Sequence, residues 1–593
     1  MAESPSQSPV DSSEAPKADG GFGLPDHPVV RFAVKASKLP WVQYVSLSVI
    51  VLLAMLYYQF VPGFADTPQG TQLQSYSPGL PCADGYYHIK VAYLYRVGEV
   101  QAAGANFHWT RESVWGHSFS DKDYLFHLYL VPFTLLADGP DDADGLVLAG
   151  KFGAAGLGLI LALALFAVMR GFKLRFAWLF TLSAVVVGSS YFVFRMNLCR
   201  SFVFSVALAL LGWFALARAN RWGLFFLAAV YTLSYTASHL LLAMALVRAV
   251  MEFVLGPVAG RTRALDIKKN AILMGFIAAG IAVGCALHPQ SLELMKLWWV
   301  QNVVVLALSH RDTVAPAVDN ISNLLGMSIN LEGEVPISLG LELEPPKGQA
   351  VIFSTPLIFF PPLLLPLWAA MVGHKPSREA VLTGTITVVW LVAYMVNVRF
   401  LEYAAPFATL SLAIWLNELM AAPSYGKFLQ QRPVWSRALP ISAALLSVIV
   451  GAMIWSGAAW SYRIVDRGDI EPAARWLHEN PETHGKFVWH DRWDDFTEFL
   501  FFCSECDYMV GLDPTFMLVN DRERYQLWWD ITKGKRADGV QIIREQFKAD
   551  YILQHRSSSE YFYHKLNEEA QAGRLKLCIR DANDEWALYE VVK

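Results

Sequence analysis

Long apolar runs, separated by short charged or turn-forming segments, dominate the first 460 residues of the chain. A helix needs about 20 apolar residues to cross roughly 30 Å of hydrocarbon, so runs of this length predict membrane-spanning helices. The pattern predicts a mainly α, polytopic bundle of about eleven spans. They cover 41–62, 145–169, 174–194, 200–217, 222–237, 238–256, 270–288, 351–372, 380–397, 401–420 and 439–460.

Three features leave the number of spans open. The segments 222–237 and 238–256 also fit one long helix. The apolar stretches 124–136 and 292–309 would raise the number to thirteen. The first is too short to cross, and the second contains Lys296, so we expect both to lie at the outer membrane surface.

Lys and Arg gather in alternate short loops, which predicts that those loops are cytoplasmic. The amino terminus then lies inside, and the loops 63–144 and 289–350 lie outside with everything after residue 460. Residues 1–38 are rich in Ser, Pro and Ala and predict a disordered cytoplasmic tail, followed by a transmembrane domain over 39–460. We expect a multi-pass protein of the bacterial inner (plasma) membrane, with its carboxyl-terminal domain periplasmic or extracellular.

Composition agrees with a membrane protein. Hydrophobic residues make up 54% of the chain and the mean hydropathy is +0.33, more than a soluble chain of this length needs for its cores. The net charge of -4 gives no indication of nucleic-acid binding.

After residue 460 the pattern becomes charged and alternating. Apolar runs of strand length alternate with helical periodicity, which predicts an extracytoplasmic α/β domain over 461–593. The predicted strands are 486–489, 508–512, 551–554, 575–579 and 586–592, and the helices include 472–479 and 538–547.

Carboxylates in the first outer loop are the leading candidates for chemistry. Asp84 follows the first span, and Asp121 and Asp123 form an Asp-x-Asp pattern further along the same loop. Two carboxylates two residues apart can share a hard divalent cation, so these three residues are the predicted ligands of Mg²⁺ or Mn²⁺. Asp84 and Asp123 are the predicted catalytic residues, although Asp-Lys-Asp is equally typical of a solvated turn.

Arginines at predicted outer ends of spans are candidates for binding phosphate. Arg399 begins the segment Arg-Phe-Leu-Glu-Tyr, and Arg195 and Arg200 bracket a short outer loop. A guanidinium can grip a lipid phosphate with two hydrogen bonds, whereas snorkelling from a helix end is the structural alternative.

Four further residues are candidates for substrate contact, three in the predicted outer loop 63–144 and one, His239, that faces the same side if residue 238 is an outer turn. They are Tyr87, His88, His117 and His239. Histidines in aromatic loops are more often structural hydrogen-bonding groups, and that alternative stays open for each.

The chain resembles a known family in three segments. Asp84-Gly85-Tyr86-Tyr87-His88 is similar to the first acidic motif of the oligosaccharyltransferase catalytic subunits, members of the GT-C superfamily. The run from Arg399 to Phe407 resembles the segment in which they carry an arginine near the lipid pyrophosphate. Trp489-His490-Asp491 stands where they have a Trp-Trp-Asp motif for the acceptor peptide, so the resemblance implies that Trp489 and Asp491 contact the acceptor.

The chain also departs from that family. The family carries a second acidic pair near the position of Arg195 and Arg200, and here that pair is absent. Activating a carboxamide nitrogen is demanding, so we expect a glycosyltransferase that moves a sugar or oligosaccharide from a polyprenyl-phosphate or polyprenyl-pyrophosphate donor. Its acceptor is a hydroxyl, a lipid, a glycan or a protein at the outer face, and the binding partners are this donor and membrane lipid.

Alternative functions remain. One is an oligosaccharyltransferase that acts on protein, and another is a transporter or flippase of lipid-linked solutes. No internal repeat with broken helices is visible, although transporters usually show one. A catalytically inactive scaffold is a further alternative, since the second acidic pair is missing.

Overall fold

A computed structural model describes most of the chain. The described ranges are 39–61, 64–67, 70–73, 77–101, 107–187, 189–255, 263–305, 360–371, 373–423 and 468–592, with residues 322, 345, 346, 358, 430, 431, 451 and 457. The chain divides into two compact units, Met1–Leu47 and Ser48–Lys593. The first is described only from residue 39, and the account below concerns the second.

Helices make up nearly all of the described structure before residue 424. In chain order they are α1 (Pro40–Gln59), α2 (Ala83–Val97), α3 (Tyr124–Leu130), α4 (Ala143–Gly171), α5 (Ala177–Val187), α6 (Ser190–Met196), α7 (Phe202–Ala217), α8 (Arg221–Ser234), α9 (Leu240–Leu255), α10 (Arg263–Leu287), α11 (Ser291–Trp299), α12 (Pro361–Met371), α13 (Arg378–Val396) and α14 (Leu401–Ala421). A short hairpin, β1 (Phe64–Thr67) and β2 (Gly70–Leu73), which the sequence pattern did not indicate, follows α1.

The fold confirms a multi-pass helical membrane protein, but the number of eleven spans is not confirmed. Five helices in the described part are long and apolar enough to cross a membrane, or six if the bent pair α5 and α6 forms one span. Several predicted spans are shorter helices here: α7 has 16 residues, and α8 and α9 are separate helices of 14 and 16 residues. The predicted span 439–460 lies almost entirely outside the described residues.

Small residues let α10 approach α8 closely. A Cβ added at Gly280 would lie 2.2 Å from the carbonyl oxygen of Phe225, and one at Gly284 would lie 2.7 Å from that of Ala229. Glycine at both positions therefore permits backbone contact between the two helices, as is common between helices in membranes.

Residues 468–592 form the α/β domain that the alternating pattern predicts. Its strands are β3 (Phe487–His490), β4 (Asp507–Tyr508), β5 (Tyr551–His555), β6 (Leu575–Arg580) and β7 (Trp586–Val591), in the sheet order β4-β3-β5-β7-β6. The strand β3 is parallel to β4 and β5, whereas β7 is antiparallel to β5 and β6. The helices are α15 (Glu471–Glu479), α16 (Phe496–Phe502), α17 (Thr515–Asn520), α18 (Arg522–Thr532), α19 (Gly539–Ile542) and α20 (Glu560–Gln571).

The loop after α2 joins the helical part to this sheet. The amide of Tyr508 donates to the carbonyl of Trp109, and the amide of Arg111 donates to the carbonyl of Tyr508, each at 2.8 Å. Glu112 also forms a two-pronged ion pair with Arg524, with N–O distances of 2.5 and 2.6 Å. These contacts hold the loop that carries the acidic candidates against the α/β domain.

Candidate active site

Asp84 and Arg200 form an ion pair at the amino-terminal end of α2. The Nη2 atom of Arg200 lies 2.8 Å from Oδ2 of Asp84, and the two side chains are 14% and 26% exposed. Asp84 lies in the first turn of its helix, where the helix dipole favours a carboxylate. This partly open pair combines a predicted catalytic residue with a predicted phosphate-binding residue.

Arg399 reaches the same neighbourhood through Tyr235. Its Nη2 atom donates to the Tyr235 hydroxyl at 2.8 Å. The phenol of Tyr235 also interacts electrostatically with Glu402, Asp123 and Arg200, which come from distant segments of the chain. We refer to Asp84, Asp123, Arg200, Tyr235 and Arg399 as the bundle cluster.

Arg195 is placed differently from Arg200. It forms a buried ion pair with Glu402, in which its Nε lies 2.7 Å from Oε1, and its guanidinium packs 4.6 Å from the centre of the Phe202 ring. Arg195 is 5% exposed and Glu402 1%. This pair joins α6 to α14 and balances a carboxylate that the sequence analysis did not single out.

The two carboxylates of the Asp-x-Asp pattern are buried and have unequal environments. Asp121 accepts hydrogen bonds from Tyr95 at 2.9 Å and from the amide of Asp123 at 3.1 Å. Burial acts to raise its pKa, but His127 and these hydrogen bonds outweigh it and the pKa is lowered. For Asp123 burial dominates and raises the pKa, and Oδ1 is buried without a hydrogen-bond partner.

A chain of side chains links His88 to Asp121. Nδ1 of His88 lies 2.9 Å from Nε2 of His127, and Nδ1 of His127 lies 2.7 Å from Oδ2 of Asp121. Burial, followed by the charge of His127, holds the pKa of His88 well below its usual value, so His88 is neutral. His88 lies four residues after Asp84, on the same face of α2.

The three predicted metal ligands do not assemble into one ligand set. Asp84 is paired with Arg200, and both side-chain oxygens of Asp121 accept hydrogen bonds. In the described part of the chain, metal-ligating groups gather in threes in two other places, at His478, His484 and Glu505 and at Asp491, Asp495 and His555. The mechanism proposed below therefore uses no metal at Asp84, Asp121 and Asp123.

The remaining candidates lie in varied surroundings. Tyr87 is buried, stacks on Trp115, and interacts electrostatically with the three carboxylates at 84, 121 and 123. His239 accepts a hydrogen bond from the Trp298 indole at 3.2 Å. His117 is exposed in the loop after a short helical turn.

The Trp489 and Asp491 side chains are in the interior of the α/β domain, with relative exposures of 0% and 3%. Asp491 accepts hydrogen bonds from Gln554 and from the amide of His555. Because both side chains are covered, we do not include them among the groups proposed below to contact the acceptor. The loop 289–350, which also carries acidic residues, lies largely outside the described residues.

Sequence reasoning missed His127, Tyr235 and Glu402. His127 follows Asp123 by four residues, so helical spacing could have associated it with the acidic pattern. Tyr235 and Glu402 gave no comparable signal, since their partners are distant in sequence and only the packing of helices brings them together.

The fold is shared with solved oligosaccharyltransferases. The apo enzyme of Archaeoglobus fulgidus matches with a TM-score of 0.59 and 12% identity, over 88% of this chain and 70% of that protein. AglB from the same organism, in complex with an inhibitory peptide and a dolichol-phosphate, matches with a TM-score of 0.60 and 11% identity, over 93% and 74%. A complex of the Archaeoglobus fulgidus enzyme with Zn and sulfate gives 0.57 and 12%, over 87% and 69%.

No protein-family model and no curated protein sequence matches the chain. At these identities the structural likeness establishes the fold. It confirms the expected architecture, a transmembrane helical bundle with a carboxyl-terminal α/β domain.

Proposed function

We propose that this protein is a membrane glycosyltransferase that transfers a sugar or oligosaccharide from a polyprenyl-phosphate or polyprenyl-pyrophosphate donor. The observation that carries the proposal is the bundle cluster, in which Arg200 pairs with Asp84, Arg399 donates to Tyr235, and Arg200 and Asp123 act electrostatically on Tyr235. Two guanidinium groups can bind the phosphate of such a donor. A neighbouring carboxylate can accept the proton of the acceptor as the bond between sugar and phosphate breaks.

Arg200 and Arg399 are the proposed phosphate ligands. Each guanidinium carries donors in a planar fork that matches two phosphate oxygens. Arg195 does not share this role in the proposal, because Glu402 already balances its charge inside the bundle. The dolichol-phosphate bound to AglB supports this class of donor for a chain of the same fold.

Arg200 also provides a way to couple donor binding to catalysis. In the described state its guanidinium occupies Oδ2 of Asp84 at 2.8 Å. A donor phosphate competes for the same guanidinium. We infer that donor binding draws Arg200 from Asp84 and leaves that carboxylate to accept a proton.

The proposed reaction is a displacement at the anomeric carbon. The acceptor oxygen forms a bond to that carbon as the bond from the carbon to the phosphate oxygen breaks. Asp84 takes the acceptor proton and later releases it to water. The leaving polyprenyl phosphate keeps the electron pair, and Arg399 and Arg200 stabilise its charge. Neutral His88, held by His127 and Asp121, fixes the helical turn that follows Asp84.

A hydroxyl on a lipid, glycan or protein is the favoured acceptor. A hydroxyl needs only proton removal as it attacks, whereas a carboxamide nitrogen must also lose its conjugation with the carbonyl group. The bundle cluster has few carboxylates, and one of them is paired with arginine, so it suits the simpler task. Transfer to a protein carboxamide is the second candidate, favoured by the shared fold with oligosaccharyltransferases.

Membrane placement is part of the proposal. We place the transferase domain at 39–460 and the α/β domain at 461–593, with the bundle cluster and the α/β domain on the extracytoplasmic side of a bacterial inner membrane. The contacts between the loop after α2 and the α/β domain support a common side for both.

The test is reconstitution of the full chain into liposomes with polyprenyl-phosphate carrying a radiolabelled sugar and with membrane extract as the source of acceptor. We expect label in a new product that resists the mild acid that cleaves the donor. A transporter or flippase would instead move the labelled lipid between leaflets without forming a glycosidic bond. That result would overturn the proposal.

A further inference from the structure

A group of buried ligating side chains lies at one edge of the α/β sheet, away from the residues used above. Asp491 directly follows β3, His555 ends β5, and Asp495 ends the short turn Trp493–Asp495. We call these three residues the sheet-edge cluster. Because β3 and β5 are parallel neighbours, their carboxyl ends meet at one edge, which is where open α/β sheets bind ligands.

The ligating atoms are close together and shielded from solvent. Nδ1 of His555 lies 2.9 Å from Oδ1 of Asp491 and 3.7 Å from Oδ2 of Asp495. One atom from each residue lies within 4.8 Å of the others. The side chains of His555, Asp491 and Asp495 are 4%, 0% and 5% exposed.

These separations suit a small divalent ion. Tetrahedral zinc binds nitrogen and oxygen at about 2.0–2.1 Å, which puts neighbouring ligand atoms about 3.3 Å apart. The two measured separations lie on either side of that distance. Small side-chain shifts therefore bring the three atoms onto one ion without a change in the backbone.

Two further contacts are typical of a metal site. Oδ2 of Asp495 is buried and has no hydrogen-bond partner, although it faces the cluster. Oδ2 of Asp491 accepts from Nε2 of Gln554 at 3.0 Å and from the amide of His555 at 3.1 Å, and Oδ1 faces Nδ1 of His555 at 2.9 Å, a contact that an ion between the two atoms would replace. Such outer hydrogen bonds orient the carboxylates that ligate metals.

The charges of the cluster also favour a cation. Two carboxylates and one imidazole lie together here, away from solvent. The nearest guanidinium, that of Arg492, pairs with Asp494 at 2.9 Å and lies 3.9 Å from Oδ1 of Asp495. A divalent ion with a neutral imidazole balances both carboxylates, and burial makes that balance important.

We propose that Asp491, Asp495 and His555 bind a divalent transition-metal ion, with Zn²⁺ as the first choice for one imidazole nitrogen and two carboxylate oxygens. The ion joins the ends of β3 and β5 and fixes the turn between β3 and α16. The site is independent of the transferase function.

The second group, His478, His484 and Glu505, provides a matched control. It also combines imidazole and carboxylate groups, but it is more exposed, and its members contact one another: Nδ1 of His478 lies 3.2 Å from Glu505, and Nε2 of His484 lies 3.0 Å from the carbonyl oxygen of His478. It also contains two imidazoles instead of one.

The experiment measures zinc in the purified full-length protein. The protein is treated with EDTA, incubated with zinc chloride, desalted, and analysed by elemental mass spectrometry. We expect about one tightly held zinc per chain, loss of that zinc in Asp495→Asn and His555→Gln, and full retention in His484→Ala. Zinc that persists in both sheet-edge variants, or that disappears in His484→Ala, overturns the proposal, as does a wild-type protein without zinc.

X-ray absorption on the wild-type protein keeps the proposal testable if the sheet-edge variants fail to fold. The sheet-edge cluster predicts one imidazole among nitrogen and oxygen ligands, whereas the His478 group predicts two. A spectrum with two imidazoles, or with sulfur, contradicts the assignment.

Discussion

The ion pair between Asp84 and Arg200 in the bundle cluster and the sheet-edge cluster both combine carboxylates with cationic or imidazole groups, but they differ in exposure and origin. Asp84 and Arg200 are 26% and 14% exposed, whereas no side chain of the sheet-edge cluster is more than 5% exposed. The first assembles residues from helices far apart in sequence, and the second comes mainly from the ends of two adjacent strands.

This difference in exposure predicts which charged groups can exchange their partner for a ligand and which cannot. An ion pair that water can reach is worth little, so a phosphate can replace one partner at small cost. A buried charge that loses its partner is left uncompensated, at a cost of about 3–5 kcal/mol. We therefore expect substitutions in the bundle cluster to alter transfer, and substitutions at buried pairs to alter folding.

The largest expected effect is on catalysis, through Asp84. Asp84→Asn removes the proposed base and should lower the transfer rate about 10³-fold, within the usual range for general-base removal. The unfolding temperature should stay near that of the wild type. The measurement is sugar transfer in liposomes, with thermal unfolding of the same preparation.

A control for this substitution is Asp144→Asn, which makes the same change in the first turn of another helix, at an exposed position of α4. It should retain wild-type transfer. Retention of full activity by Asp84→Asn would remove Asp84 from the mechanism.

The next test concerns the buried ion pair between Arg195 and Glu402. Arg195→Ala leaves Glu402 buried without its cation, so we expect a loss of about 3–5 kcal/mol in stability. Thermal unfolding in detergent measures it. The double variant Arg195→Met with Glu402→Met should recover most of the loss, because no buried charge remains. Loss of activity in Arg195→Ala with unchanged unfolding would instead indicate a role in donor binding.

The sequence predicted the parts of the fold that depend on local pattern. Four of the five strands of the α/β domain lie where apolar runs of strand length predicted them, and β4 overlaps its predicted run only at Tyr508. The runs were visible because β3 and β5 are buried at every position and therefore need continuous apolar sequence. The span count was less well predicted. The helix α8 ends at Ser234 instead of at residue 237 because Tyr235 has an extended backbone, and apolar length alone does not show such an end.

The sequence predicted which residues belong to the candidate site, but not which of them pair with one another. Asp84 and Arg200 were both identified, yet their ion pair depends on how α2 packs against the loop after α6. Arg195 and Arg200 looked equivalent in sequence, and only Glu402 on a distant helix distinguishes them. Long-range packing, which single-sequence periodicity does not encode, decides these partners.

A third test concerns Glu498, a partly buried carboxylate of the α/β domain, and asks how its ionisation affects stability. Burial raises the pKa of Glu498 to about 7, with the charges of nearby Asp469 and Asp494 as smaller causes. The folded state then binds more protons than the unfolded state between roughly pH 4.5 and 7. Glu498 therefore contributes stability below that window, and this contribution is lost as the pH rises through it.

Glu498→Gln keeps an acceptor for the amide of Ile470, which donates to Glu498 at 3.1 Å, and removes the ionisation. We expect this variant to be more stable than the wild type at pH 8, by up to roughly 3 kcal/mol, and nearly equal to it at pH 4.5. Hydrogen exchange of peptides from residues 468–592 in the full-length protein measures the difference. Equal protection at both pH values would contradict the assignment.

The smallest expected effect is on donor binding, through Arg399, and it tests whether this arginine is an exchangeable cation. Arg399→Lys keeps the positive charge but loses the planar fork, so we expect donor use to weaken about tenfold, equivalent to about 1.4 kcal/mol. The weakening should appear mainly in KM for the donor, because phosphate is held in the ground state as well as in the transition state.

Arg175→Lys, at an exposed position on the predicted cytoplasmic side, is the matched control and should leave KM unchanged. If Arg399→Lys instead lowered the unfolding temperature and left KM unchanged, the bond from Arg399 to Tyr235 would be structural, and Arg200 alone would remain as the exchangeable cation of the bundle cluster.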